Sequence, residues 1–442
     1  MSYYDKAHRV HEFITSLLPP GYQSRLRVES EDSSFVRFNK GAIRQPGSVR
    51  QSYVSIEIHS DKRHTNTTLS LTDEDDFNRA IIKPLIEEQV ILIEQLEPDP
   101  HFIEDAPTAS LDDSRGITTG QGDQAIRDIL DQVHGLDVVG IYAEGQIART
   151  YLDSSGSSLH YQTSRSHFDF SVYAQLDKAV KCSISGAKWD RELFNTKVSE
   201  ARGRLPFLVK EPYAPKPGAY RSYLAPSAMR SILSLVSRSS FSEKAHQTGL
   251  SPLKRLKQGR NTLNEAVSLA ESPKYLEGCQ FHNNGFVAPD ETILLKNGVF
   301  ENTLISPRSG QEFGLSHNGS PPGEHPEYLR MSPGTLSQAD ILSSLGTGIY
   351  ISDLWYLNFS DPQICRMTGM TRFASFWVED GKIVAPLSVM RFDDSLYEIL
   401  GSKLVSLTED AELFHEAHTY TSRSLSAMSV PGALVEGLTF TL

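Results

Sequence analysis

Residues Gly346–Val384, GTGIYISDLWYLNFSDPQICRMTGMTRFASFWVEDGKIV, constrain the fold more than any other stretch of the chain. GIYIS and FASFWV alternate β-branched or aromatic residues with small or polar ones, the pattern of half-buried strands. Asp380-Gly381 supplies a tight turn, so Phe373–Val378 and Ile383–Val384 are expected to be the arms of a β-hairpin. Between GIYIS and FASFWV, an aromatic-rich loop is expected, in which Asp353, Asp361, Arg366 and Arg372 lie among Trp355, Tyr356, Phe359 and Phe376. Charges held among rings are either paired or aimed at a ligand.

Length and charge limit what this stretch can belong to. At 442 residues the chain exceeds one ordinary core, and two or three domains follow. A net charge of −12 argues against a nucleic-acid partner, which needs a basic surface. The densest basic run, Lys254-Arg255-Leu256-Lys257, reads as a solvated helix face. Cys182, Cys279 and Cys365 are far apart and lack CxxC spacing, which suggests neither a disulfide framework nor a zinc finger and fits a reducing cytoplasm. The opening MSYYDKAHRVHEFITSLLPPGY has charge throughout and no apolar core. No signal peptide, no membrane partner and a cytoplasmic location are therefore expected.

The pattern predicts an α+β protein in three units: an N-terminal α/β two-layer region (1–108), a central, mainly antiparallel sheet (109–212) and a C-terminal β-rich, barrel-like domain (213–442). In the first unit, helices over Asp5–Leu18 and Asp73–Gln95 enclose strands at Phe35–Phe38, Ser52–His59 and Thr67–Leu71. In the second, a helix at Asp123–Val133 precedes strands Leu136–Ala143 and Ala148–Leu152, which flank a turn at Glu144-Gly145. The Ser-rich run Ser154–Ser158 reads as a hairpin tip. In the third, strand Ala219–Leu224 leads into a helix at Ser227–Lys244 with Ala228, Ile232, Leu235 and Val236 on one face. Asn297-Gly298 makes a hairpin turn, and Ser306–Pro333 reads as a long loop over the surface or a cavity mouth.

Four segments in order, SSFVRFNKGAIRQ (33–45), Tyr213-x-Pro-x-Pro-Gly218, DETILLKNG (290–298) and the opening stretch with its TGMTRFASFWVEDGKIV end, resemble the TldD/PmbA (TldE) family along the whole chain. The resemblance implies a role in proteolysis or peptide maturation. It also implies two branches. In the TldD branch, a helix with His-Glu-x-x-x-His and a Cys near the C-terminus form a zinc site, where the imidazoles hold the metal and the Glu takes a proton from its water. The TldE/PmbA branch lacks these residues and pairs with the catalytic subunit. Laid on that motif, Ser234 stands at the first His, Leu235 at the Glu and Ser239 at the second His. The segment Thr421–Pro431 occupies the place of the Cys and contains none.

The resemblance thus implies a TldE-like subunit with no catalytic residues, metal or cofactor of its own, zinc being expected only in a TldD-like partner. Its partners would be that subunit or a second copy of itself, and an unfolded peptide. Thr368, Gly369 and Arg372 are candidates for holding peptide, because a polar turn beside aromatic strands can accept backbone hydrogen bonds; the alternative is that they only shape a turn and an ion pair. The competing reading is a stand-alone enzyme. It would be a metallopeptidase with relocated ligands such as His415 and His418, in His415-Glu416-Ala417-His418, or a hydrolase using Cys365. A protease helix needs His-Glu-x-x-His or one residue more, so this spacing brings the second His too early, and a short exposed helix is the plainer expectation. His246 reads as a surface or helix-end residue, His317, Glu324 and His325 as parts of a solvated loop, and Cys365 as a buried thiol. A homodimeric peptide-binding protein is the third reading.

Overall fold

A computed structural model describes residues 2–104, 106–115, 122–417, 419 and 421–441. Its first half is built on one seven-stranded sheet, ordered β3-β2-β1-β5-β6-β4 with β7 also on β6. The strands are β1 (Gln23–Asn39), β2 (Ala42–Ser60), β3 (Arg63–Leu71), β4 (Ser110–Ser114), β5 (Asp137–Asp153), β6 (Ser158–Gln175) and β7 (Lys178–Gly186). All pairs are antiparallel except β4 with β6. Helices α1 (Tyr3–Leu17) and α2 (Asp75–Ile93) form a second layer. Ala7, Val10 and Ile14 of α1 and Ile82 and Ile86 of α2 share a core with Leu26, Val28, Val54 and Ile56. Because β1 pairs with both β2 and β5, residues 1–108 and 109–212 contribute to one sheet.

Several expected breaks are absent. β1 and β2 run well beyond Phe35–Phe38 and Ser52–His59: they pair along their whole lengths, and polar pairs such as Ser30 and Ser52, hydrogen-bonded at 2.9 Å inside the protein, carry the ladder across the gap between Val28 and Phe35 where apolar alternation stops. Glu144-Gly145 is no turn either, since β5 continues straight through it. The Ser154–Ser158 tip does join β5 to β6.

Helices α3 (Gly122–Val133) and α4 (Arg191–Leu208) pack their apolar faces on Phe168, Phe170 and Val172 of β6. This core continues into Tyr223, Tyr350, Phe376 and Leu434 of the second half, so the two halves are joined by packed side chains.

The second half is a thirteen-stranded, branched sheet. Its main path is β11 (Val299–Phe300), β10 (Thr292–Lys296), β9 (Leu269–Glu271), β12 (Tyr328–Met331), β20 (Ala427–Phe440), β8 (Gly218–Leu224), β13 (Gly348–Ile351), β16 (Phe376–Glu379) and β17 (Lys382–Pro386). From it branch β14 (Asp353–Asp361), β15 (Arg366–Arg372), β18 (Arg391–Ser395) and β19 (Leu404–His415). The expected barrel does not close: among the described residues the path ends at β11 on one side and β17 on the other.

Both predicted hairpins form. Asn297 and Gly298, and Asp380 and Gly381, all have positive φ, the geometry of the two-residue turns that suit twisted strands. The expected aromatic-rich loop is instead the hairpin β14–β15, and Ser306–Pro333 contains a helix (Pro307–Phe313) and β12. Among the described residues no helix is long and apolar enough to cross a membrane.

Candidate functional site

Helix α5 (Pro226–Ser237) carries the residues aligned with a metal motif, and it is shorter than the expected Ser227–Lys244. Pro226 fits its first turn, where no intrahelical N–H bond is needed. Ala228, Ile232, Leu233 and Val236 bury its apolar face. The helix stops because Ser242 starts another, α6 (Glu243–Gln247), its hydroxyl accepting from the Ala245 N–H at 3.1 Å. Ser234 and Leu235 are therefore on α5, whereas Ser239 lies in the turn beyond it.

The polar side of α5 forms one wall of a cavity of about 520 Å³ between the two sheets. Lys181 and Cys182 of β7 and Lys197 and Arg204 of α4 come from the first half. Ser227, Arg230, Ser234, Leu235, Arg238, Tyr350 and residues 352–357 come from the second. A bulge in β14 between Trp355 and Asn358, with Tyr356 at φ 56°, places Trp355 and Tyr356 on the cavity rim. A second cavity of about 320 Å³ shares Arg230, Ser234, Arg238 and Phe414 with the first. A third, of about 470 Å³, shares Glu327 and Ser426 with the second. The three are thus contiguous, and Ser234 of α5 and Ser426 of the C-terminal segment line the same middle space.

Most charges in the first cavity are engaged. Lys181 pairs with Asp169 and Lys197 with Glu412 at 2.9 Å. Arg204 lies over the Tyr350 ring at 5.2 Å and donates to its hydroxyl at 3.1 Å. Arg230 sits 3.5 Å from Glu416 and 5.1 Å above Phe414. Asp353 accepts from Ser227 Oγ at 3.2 Å and from the Leu354 N–H, but burial outweighs these bonds and holds its carboxyl above the usual carboxylate range. A raised carboxyl favours folding fully below its unfolded pKa, and that contribution disappears as pH rises through the folded value. Asp353→Asn is accordingly expected to lessen the decline in the denaturation midpoint as pH climbs above the ordinary aspartate range, which a urea titration at several pH values reads directly.

The chemistry of this wall does not suit zinc. A hydroxyl at Ser234 and an alkyl side chain at Leu235 replace the imidazole and carboxylate that such a centre needs. Among the described residues no group of three His, Cys, Asp or Glu side chains gathers as metal ligands would. His415 lies not on an exposed helix but at the buried end of β19, and burial, aided by Arg165 and Arg423, pushes its pKa down to about 3. His418 lies outside the described residues. Cys365 is a core thiol that burial pushes up to about 12, and Cys182, at the cavity, is likewise pushed up to about 12, so neither is poised as a thiolate.

Glu324 does lie in a loop, but its expected solvation is corrected. It is buried and accepts from Ser242 Oγ and the backbone N–H groups of Lys244 and Ser306. His246 is buried too, against Ser240 O and Ser251 Oγ.

Thr368 and Gly369 stand on β15, outside the cavity lining. Thr368 donates to Phe392 O and accepts from Arg391 Nε, both at 2.9 Å, and a side chain at Gly369 would meet the Phe392 ring at 2.8 Å. Arg372 stacks 4.0 Å from the centre of the Trp355 ring, and so reaches the cavity only through that rim residue. Sequence reasoning missed Arg230 and Arg238, although their spacing of four about Ser234 was a readable signal. Lys197 and Arg204 had none, because their approach depends on how α4 docks.

A family model described as the PmbA/TldA metallopeptidase C-terminal domain matches residues 217–442. The Haemophilus influenzae metalloprotease PmbA homolog is 27% identical over 180 residues, 39% of this chain and 38% of that protein. Escherichia coli O157:H7 metalloprotease PmbA is 26% identical over 159 residues, 35% of this chain and 33% of that protein. The matches thus span little more than a third of these relatives. In fold, the chain is similar to TldE from Thermococcus kodakarensis (TM-score 0.77, 14% identity, 98% of this chain and 99% of that one). It is similar also to a candidate modulator of a DNA gyrase from Thermotoga maritima (TM-score 0.76, 15% identity, the whole of both chains).

Proposed function

Given that the chain belongs to the PmbA/TldD family, we propose that it is a TldE-like subunit that lacks its own zinc site and presents unfolded peptide to a TldD-like metallopeptidase in the cytoplasm. One observation carries the reading: the cavity-lining helix has Ser234 and Leu235 where a metallopeptidase needs a ligand and a base. A serine hydroxyl binds zinc poorly and leucine cannot take a proton, so the hydrolytic centre has to come from a partner. What remains on this chain is a contiguous set of cavities with an aromatic rim at Trp355 and Tyr356, which suits an extended chain carrying mixed side chains. The three sequence units, divided near residues 108 and 212, would serve this arrangement by placing the cavity where the second meets the third.

Elemental analysis and a cleavage assay test the proposal together. The purified chain is expected to carry no stoichiometric zinc and to leave an unfolded peptide intact until a TldD-like protein is added, with which it co-purifies. Stoichiometric zinc lost on His415→Ala, or cleavage by this chain alone, would overturn it.

A further inference from the structure

We propose that the face formed by Arg230 and Ser234 of α5 and by Arg238, the residue that caps its C-terminus with helical backbone angles, binds a carboxylate of the presented peptide; this rests on the peptide-presenting reading above. Residues four apart on a helix lie one above another, and all three line both the first and the second cavity. The wall that in a metallopeptidase would face a cation instead offers donors.

Its charges are unevenly engaged. Lys181, Lys197 and Arg230 have carboxylate partners. Arg238 is exposed, and among the described residues it has no acidic partner and no hydrogen bond. The Ser234 hydroxyl, one turn away, also has no hydrogen-bond partner among the described residues. Five cationic side chains against four acidic ones line the first cavity, in a chain whose net charge is −12. The excess is a single cation, and the second cavity balances Arg230 and Arg238 with Glu327 and Glu416, so the wall suits one discrete negative group at Arg238 and not a polyanion. A guanidinium's planar fork takes a carboxylate in two parallel hydrogen bonds, and a serine hydroxyl adds a further donor. Trp355 and Tyr356 on the rim give the flanking residues of a peptide an apolar surface.

The carboxylate could be a Glu or Asp side chain or the peptide's C-terminus, and the test separates these. Calorimetric titration would use a short Gly/Ser-rich peptide containing glutamates and its Glu→Gln version, each as free acid and as C-terminal amide. Tighter binding that tracks the glutamates assigns the side chain; tighter binding that tracks the free acid assigns the terminus. In either case Arg238→Gln is expected to weaken the preferred peptide by roughly tenfold or more and to leave the uncharged, amidated peptide unchanged. Arg238→Lys should restore part of the loss, and added salt should reduce the preference. Arg238 is exposed, so an unchanged thermal midpoint will confirm that the variant folds.

Equal binding of all four peptides, or a preference that survives Arg238→Gln, would overturn the carboxylate site and leave the peptide-presenting reading standing. Binding of none of them, with or without a TldD-like subunit, would overturn both.

Discussion

Gly145→Val is expected to destabilise the protein by roughly 2–6 kcal/mol, the sum of two separate penalties. Gly145 has φ 148°, in the region that side-chain-bearing residues rarely adopt. Such strain costs about 1–3 kcal/mol. A Cβ there would also lie 2.1 Å from Asp32 O and 2.6 Å from Ser33 Cα, and both obstacles are backbone of the neighbouring strand. Ser33 stands opposite Gly145 in the β1–β5 register, so the strands cannot part without loss of ladder hydrogen bonds at the centre of the sheet. Overpacking of this kind adds about 1–3 kcal/mol. Gly145→Ala should behave similarly, because the first carbon already makes the clash. Gly47 of β2 is the control: nothing lies within 4 Å of a Cβ built on it, and Gly47→Ala is expected to change stability by no more than about 0.5 kcal/mol. Urea denaturation midpoints of the three variants decide the matter, and a Gly145→Val midpoint equal to that of Gly47→Ala would refute the close-approach account.

Gly145 also explains why part of the fold was legible in sequence and part was not. A glycine between two apolar runs reads as a turn because local chemistry cannot distinguish a reversal of the chain from a close approach by another strand. Where the cause was local, the reading held. Asp380-Gly381 and Asn297-Gly298 turn as their φ preferences require. Where the cause was tertiary, it did not. Ser30 and Ser52 are buried by pairing across strands, which no periodicity of apolar residues reports. His415 belongs to β19 because β20 supplies its ladder, with Ala427 opposite it. The site divides in the same way. Ser234 and Leu235 could be placed from one helix and one motif, whereas the cavity they face is assembled from β7, α4, α5 and β14. Lys197 and Asp353, far apart in sequence, meet there only through the packing of the two halves.

The buried acid between the second and third cavities should have the other large effect: Glu327→Ala is expected to cost about 3–5 kcal/mol at neutral pH, the usual result of removing one partner from a buried ion pair. Arg149 Nη1 lies 3.4 Å from Glu327 Oε2, with the two side chains only 10% and 13% exposed. Its other acid, Glu29, is 3.7 Å away and 38% exposed, so it compensates less of the guanidinium's lost hydration. The pH dependence identifies the cause. Burial pushes the Glu327 carboxyl up, but Arg149 foremost outweighs it and the net pKa lies below the ordinary glutamate range. A depressed carboxyl stabilises the fold above its unfolded pKa and loses that contribution as pH falls through the folded value. Its neighbour Glu271 shifts the opposite way: burial, with Glu327's charge adding to it, raises that carboxyl to about 8. The contribution of Glu271 is complete below the ordinary glutamate range and is lost as pH rises toward 8. Glu327→Ala should therefore flatten the acid flank, because the depressed group is gone, and relieve the alkaline flank only in part, because burial, the larger cause of the raised Glu271 carboxyl, remains. Glu271→Gln should flatten the alkaline flank alone. Denaturation midpoints collected from roughly pH 4 to 9 span both windows. A Glu327→Ala profile that keeps the wild-type neutral-pH midpoint, or an unchanged acid flank, would show that Arg149 draws its compensation from elsewhere.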